Sequence, residues 1–272
     1  MGIVNVTPDS FSDGGRWATT DAAIAHGHDL LAQGADILDI GGESTRPGAT
    51  RPLVSDELDR VVPVIEALAA EGALVSVDTM RAEVAAAAIA AGARIVNDVS
   101  GGLADPAILR VVADSEAQYV AMHWRAHSAR MQQLATYDGH GGVVAAVADE
   151  LGARVEDAEA AGIPRERIIL DPGLGFAKTA DHNWDLVTGL AALEALGLPI
   201  LVGSSRKSFL GLLLADEQGE PRPVGEREAA NVALGTILAL RGVWGLRVHD
   251  VRATVDALRV VGRVQQSTGD GW

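Results

Sequence analysis

The sequence predicts an α/β protein, a (β/α)8 TIM barrel in a single domain covering residues 1–272, on three observations. Eight short β-branched runs alternate with eight alanine-rich stretches of helical spacing. The runs are apolar and seldom alternate with polar residues, the pattern of parallel strands buried on both faces. Eight such units in a chain of 272 residues match the usual length of the barrel, about 250 residues.

The first run, Ile3–Val6, leads to a helix over Asp21–Gln33, with Ile24, Gly27 and Leu31 along one face. Asp36–Ile40 is followed by a helix over Ser55–Ala70, lined by Leu58, Val61, Val62 and Ile65. Ala73–Val77 precedes Ala82–Ala91, Arg94–Asn97 precedes Asp105–Asp114, and Gln118–Met122 precedes Val143–Ala160. The last three pairs are Arg167–Leu170 with Asp181–Leu196, Pro199–Val202 with Glu226–Arg241, and Gly245–Val248 with Val251–Val264. Gly34, Gly72, Gly92, Gly162 and Gly197 each stand just before the next strand, where glycine ends a helix. The low-hydrophobicity stretch Asp216–Gly225 reads as a surface excursion beside the seventh helix. A doubly wound open sheet is the alternative, but its Gly-x-Gly-x-x-Gly turn is missing: Asn5-Val6-Thr7-Pro8 stands after the first strand.

Composition narrows the function. A hydrophobic content of 48% supports a substantial core, and no apolar run approaches the ~18 residues of a membrane span. A formal charge of -15 argues against nucleic acid and for a small-molecule ligand. With no cysteine, disulfides, thiolate nucleophiles and Cys-ligated metals are excluded, and the cytoplasm is the expected compartment. Of 22 basic residues only Lys178 and Lys207 are lysines, by chance or because those places require a compact ammonium.

In such a barrel the loops after the strands gather at one mouth. All eight strand ends here are polar or glycine-rich. They begin with Asn5 to Gly15 and with Asp39-Ile40-Gly41-Gly42-Glu43-Ser44-Thr45-Arg46-Pro47-Gly48. Asp78-Thr79, Asn97 to Gly102, Met122 to Arg125, Asp171 to Phe176, Gly203 to Ser208 and Arg247 to Asp250 follow. The turns at the opposite end, such as Gln33-Gly34-Ala35, are bland. Asp105 and Asp181 read as helix N-caps, but Asp78, Asn97, Asp171 and Lys207 on one rim read as a site.

Asp78, Asn97 and Asp171 suit a neutral heterocycle with adjacent N–H donors and a carbonyl, such as an aminopyrimidinone edge. Arg247, His249 and Asn5 suit a diphosphate with Mg2+. The Gly14-Gly15 and Gly101-Gly102 pairs could bring backbone N–H groups to anions. Ser204, Ser205 and Ser208 lack a nucleophile-elbow setting, His26 and His28 read as surface residues, and His123 reads as a rim residue or as packing beside Trp124.

Seven motifs together resemble the dihydropteroate synthase family: NVTPDSFSDGG from Asn5, DIGGESTRPGA from Asp39, SVDTMR from Ser76, VNDVSGG from Val96, DPGLGF from Asp171, GSSRKSFLG from Gly203 and RVHDV from Arg247. The resemblance spans almost the whole chain in the family's order; residues Ala126–Gly142 match nothing in it. It implies a TIM barrel joining 6-hydroxymethyl-7,8-dihydropterin diphosphate to 4-aminobenzoate, giving 7,8-dihydropteroate and pyrophosphate. Carried over, Asp78, Asn97, Met122, Asp171 and Lys207 hold the pterin. Asn5, Arg247 and His249 hold the diphosphate, with Asn5 also at Mg2+. Phe11, Thr45, Arg46, Pro47, Phe176 and Ser208 surround the aminobenzoate, where sulfonamides compete. The implied reaction is dissociative, with catalytic roles for Asp13, Lys207, Arg247 and His249. Lys178 is read as a helix-start residue outside the site, and a homodimer through the last helices is implied. A methyltetrahydrofolate-dependent corrinoid methyltransferase or a non-catalytic pterin-binding paralogue are the rivals. The intact first loop and diphosphate residues count against both.

Overall fold

The computed structural model describes residues 1–7, 15–43, 51–126, 131–139 and 141–268, apart from the side chains of 15–19, 131, 132 and 268. Phe11, Asp13, Thr45, Arg46 and Pro47 lie outside the described residues.

Six strands pair in chain order as one parallel sheet: β1 (Gly2–Asn5), β2 (Leu38–Gly41), β3 (Val75–Asp78), β4 (Ile95–Asp98), β5 (Gln118–Met122) and β6 (Ile168–Asp171). Two more, β7 (Leu201–Val202) and β8 (Gly245–Leu246), form a parallel pair. Hydrogen bonds join the two sheets into a ring. Leu170 N–H donates to Pro199 O at 2.8 Å, linking β6 to the approach of β7; Pro199 itself has no N–H to return. On the other side Ile3 N–H donates to Val248 O at 3.1 Å and Val248 N–H to Met1 O at 3.0 Å, so β8 closes on β1. The barrel that the sequence predicts is thereby formed.

Helices α1 (Gly15–Ala32), α2 (Val54–Ala70), α3 (Ala82–Ala90), α4 (Ala107–Ala113) and α5 (Val143–Ala160) follow the first five strands. After β6 come α6 (Ala180–Thr188) and the short α7 (Ala191–Glu194), after β7 come α8 (Ser208–Leu213) and α9 (Glu228–Leu240), and α10 (Val251–Thr268) follows β8. Among the described residues no helix is long and apolar enough to cross a membrane.

The helix ends obey simple rules. Gly92, at φ 113°, donates to Ile89 O at 3.0 Å while Ala93 N–H reaches Ala88 O at 2.9 Å, closing α3 with a left-handed residue that glycine adopts without strain. Asp105 serves the first amides of two helices, accepting from Ala107 N–H of α4 at 3.3 Å and from Ala82 N–H of α3 at 2.8 Å, although the cap positions themselves are Pro106 and Arg81. Asp181 is not a cap. Thr179 caps α6, accepting from His182 N–H at 3.2 Å while His182 Nδ1 accepts from Thr179 N–H at 3.3 Å. The stretch expected as one helix over Asp181–Leu196 breaks at Gly189, where a Cβ would lie 2.7 Å from Val144 of α5. The six residues of α8 are too few to show a helical period in the sequence.

Side chains alternate across each strand. One set, including Val4, Ile40, Val77, Val96, Tyr119, Leu170 and Val202, belongs to the main core that includes residues of the helices. The other set provides Ile37, Ile95, Val120, Ile169 and Leu201, a separate apolar plug touched by Met1. Two residues further along the same strands stand Asp39, Asn97, Met122, Asp171 and Gly203. The two-residue period therefore puts a polar layer on top of the plug, at the mouth where the strands end.

Candidate active site

Arg247, just past β8, is the centre of that layer. Its Nε donates to Asp39 Oδ2 at 2.6 Å and its Nη2 to Asp78 Oδ2 at 2.7 Å. Asn97 Nδ2 donates to the same Asp39 oxygen at 3.0 Å, so β2, β3, β4 and the end of β8 meet in one hydrogen-bonded group. Burial raises Asp78 to about 7 against the opposing pull of Arg247. Burial alone would lower the Arg247 guanidinium, but Asp39 and Asp78 outweigh it and lift it above its usual range. The Arg247 side chain is still 22% exposed, enough for a ligand to reach it.

Across the mouth, Asp171 ends β6 and accepts from Gly173 N–H at 2.7 Å. Burial pushes its carboxyl up, and Lys207 counters this. Lys207 donates to Leu174 O, and its ammonium stands 4.8 Å from the centre of the Phe176 ring. Burial brings that ammonium down to about 8, with Asp171 holding it up. Met122, which pairs with Asp171 in the strand register, forms an apolar wall with Met80 and Val99, packed by Trp124 and Phe176. One rim thus offers a cationic side, a carboxylate floor and an aromatic edge.

The turn that carries Lys207 is built by a second arginine. Arg206 is left-handed at φ 63°, and Arg227 Nη1 donates to its carbonyl at 2.9 Å. Gly211 makes room: a Cβ there would lie 2.5 Å from Arg227 Nε. Ser205 Oγ sits 3.0 Å from His249 Nδ1 and accepts from His249 N–H at 3.3 Å, tying the loop after β7 to that after β8. Asn5 ends β1 half-buried opposite Gly41, and Ser208 is exposed at the start of α8.

Of the residues expected in the site, Asp78, Asn97, Met122, Asp171, Phe176, Lys207, Arg247, His249 and Asn5 stand on strand ends or on the loops that follow them, and Ser208 opens α8. Arg247, expected on a diphosphate, also bonds here to the two carboxylates at the mouth. One expectation changes: the Gly101 and Gly102 amides are not offered to a ligand anion but turn to Asp98, Gly102 N–H donating to its Oδ2 at 2.7 Å and Gly101 N–H to its main-chain O at 3.1 Å. Lys178, read as a helix-start residue outside the site, stands directly before the cap of α6 but is buried, only 4% exposed.

Asp39 is the member that the sequence leaves without a role. Its signal is positional, because it follows Ile37 by one strand period and must share its inward face. Glu57 of α2 is equally hidden in the sequence. Fully buried, it accepts from Thr79 Oγ1 at 2.6 Å and pairs with Arg81 Nε at 3.3 Å, anchoring the loop after β3.

Comparison with known proteins adds a family to this geometry. Residues 1–249 match the family model described as pterin binding enzyme. The dihydropteroate synthase of Mycobacterium leprae is 54% identical over 262 residues, covering 96% of this chain and 92% of that protein. The Xanthomonas albilineans dihydropteroate synthase, solved with 4-aminobenzoic acid, is 49% identical with a TM-score of 0.88 over 97% of this chain and 92% of that one. The Yersinia pestis dihydropteroate synthase, solved with a sulfonamide drug complex, is 40% identical with a TM-score of 0.88 over 98% and 94%.

Proposed function

This chain belongs to the dihydropteroate synthase family of pterin-binding enzymes, and from that premise we infer how its own residues perform the family's reaction. The reaction condenses 6-hydroxymethyl-7,8-dihydropterin diphosphate with 4-aminobenzoate to give 7,8-dihydropteroate and pyrophosphate. The observation that carries the reading is the linked group of Arg247, Asp39, Asp78 and Asn97 facing Asp171 and Lys207 across one mouth.

Asp78, Asn97 and Asp171 take the N–H donors and carbonyl of the pterin, with Met122 against its ring and Lys207 at its edge. Arg247 already spends Nε–H and one Nη2–H on Asp39 and Asp78; its other N–H groups are available to the diphosphate, beside His249. Phe176 and Ser208 border the aminobenzoate, together with Phe11, Thr45, Arg46 and Pro47. Sulfonamides compete for that place.

Asn5 supplies one oxygen at the rim, which fits Mg2+ carried largely by substrate phosphates and water. When bound, the ion would stabilise charge on the departing diphosphate. The C–O bond to diphosphate breaks first, its electron pair leaving with pyrophosphate under the charge of Arg247 and beside His249. The aniline nitrogen then attacks the pterin methylene cation, which Asp13 stabilises, and the amine proton passes to solvent.

The reading includes residence in the cytoplasm and a homodimer through α9 and α10. Ile237 and Leu240 stand exposed on α9, with Trp244 just beyond its end, and Val260 and Val264 on the adjoining α10, at helical spacing. The deciding assay is pyrophosphate release from the pterin diphosphate. Release that needs 4-aminobenzoate and stops in EDTA is expected; a protein that binds the pterin diphosphate and releases nothing overturns the reading.

A further inference from the structure

Both lysines of the chain grip the loop that follows β6. Lys207 takes Leu174 O from the mouth. Lys178 takes the loop from within: its Nζ lies 3.0 Å from Gly173 O, 3.0 Å from Phe176 O and 2.8 Å from His123 Nδ1. His123, only 1% exposed, continues to Glu150 of α5, with Nε2 2.9 Å from Oε2. Arg125 also binds Glu150, and its guanidinium lies 4.0 Å from the centre of the Tyr137 ring, whose hydroxyl donates to Ala177 O at 2.9 Å.

The hydrogen-bond roles follow from these distances. Against the burial that raises it, His123 and Arg125 hold Glu150 at about 2, so its carboxylate only accepts. Nε2 of His123 therefore carries a hydrogen. The ring's Nδ1 is left to accept from Lys178. Burial and the neighbouring Lys207 bring the Lys178 ammonium well below its usual range, with Asp171 and Glu150 opposing them; the three acceptors at 2.8–3.0 Å are the arrangement that its three N–H groups satisfy. Burial brings His123 down to about 4, in keeping with a neutral ring.

We propose that Lys178 is a positioning residue for the second substrate, fixing the carbonyls of Gly173 and Phe176 so that the Phe176 ring is presented to Lys207 and 4-aminobenzoate. The backbone of Asp171 is held apart from this clamp, by the ladder to β5 and by His123 N–H donating to its carbonyl at 2.9 Å; its carboxylate meets the clamp only through Gly173 N–H, at 2.7 Å. Phe176 lies beyond the strand, with its amide on Gly173 O at 3.0 Å and its carbonyl on Lys178. The inference rests on the synthase reading for the identity of the ligand beside Phe176.

The test measures three quantities on the full chain: KM for 4-aminobenzoate, Kd for the pterin diphosphate by calorimetry, and thermal stability. Lys178→Met removes all three of these hydrogen bonds; because the ligand feels them only through the Phe176 loop, the KM for 4-aminobenzoate is expected to rise about tenfold, with the pterin Kd within about twofold. A folded variant with unchanged KM, or with both constants raised in parallel, overturns the clamp. If Lys178→Met does not fold, His123→Ala and His123→Asn decide, since asparagine can return an acceptor near Nδ1. A raised KM in the alanine variant that the asparagine variant restores supports the clamp; equal values in the two overturn it. If the wild-type protein binds both substrates without releasing pyrophosphate, the synthase reading fails separately. The same comparison is then made on the Kd for 4-aminobenzoate.

Discussion

Arg247 satisfies two buried carboxylates at once, and one of them, Asp78, gives a prediction. Asp78, raised to about 7 chiefly by burial, holds its proton in the folded state at pH values where the unfolded chain has lost it. Its contribution to stability is therefore largest at low pH and is lost as pH rises towards 7. Asp78→Asn, which cannot ionise, should gain in Tm relative to wild type as pH moves from 5 to 8, while pterin affinity falls by about a hundredfold or more. A Tm gap independent of pH would show that Arg247 fully compensates the charge. Lys207 moves the other way. Brought down to about 8, it should lose its charge, and with it turnover, as pH rises through that value; Lys207→Arg should remove this limb from the profile of kcat/KM, even at lower activity. Asp78, Asn97 and Asp171 are readable in the sequence because polar residues closing apolar runs have few structural reasons to be there. Asp39 and Lys178 are not. The first hides within its strand, and a lysine ahead of a helix looks solvent-bound until the packing of His123 beneath it is known.

Elements matter here through the turns they hold in place. Arg206 sits at a left-handed φ of 63°, immediately before Lys207, and the guanidinium of Arg227 draws in its carbonyl and that of Arg222 at 2.9 and 2.8 Å. Arg227→Met leaves those carbonyls without their charged donor in a site that is 8% exposed. It should lower stability by about 2–3 kcal/mol in denaturant titration and cut turnover with it, because the lysine turn loses its support. A loss of stability with full turnover would separate α8 and α9 from the chemistry. The same scale explains what sequence can and cannot supply. Helix ends are legible where a glycine must adopt a positive φ, as at Gly92, because no other residue does this without strain. The break between α6 and α7 is not, since Gly189 has an ordinary φ of -88° and is required by the approach of Val144, a contact between distant segments.

At the scale of the whole molecule, the barrel separates two tasks along one axis. Ile37, Ile95, Val120, Ile169 and Leu201 form the apolar plug, and the residues one strand period further on carry the mouth, so packing and ligand binding occupy successive layers of the same strands. That layering is implicit in the sequence, whose strand ends are all polar or glycine-rich, but the ring closure that brings Arg247 to Asp39 across 208 residues is not. The outer surface is less evenly divided. Ile237 at 53%, Trp244 at 39%, Val260 at 63% and Val264 at 44% exposure lie on or just beyond α9 and the adjoining α10, away from the polar mouth. A homodimer would cover this apolar strip without blocking the substrates. Burying one charge there without a partner opposes association, and twofold symmetry presents that charge twice. Ile237→Asp and Val260→Glu should therefore shift sedimentation from dimer to monomer. Since the strip is remote from Arg247 and Lys207, kcat should stay within about threefold of wild type, under one kcal/mol of barrier. A wild-type protein that sediments as a monomer at all concentrations would remove the dimer from the reading. Monomeric variants that also lost turnover would mean that the partner's helices are needed to hold α9, and through Arg227 the lysine turn, in register.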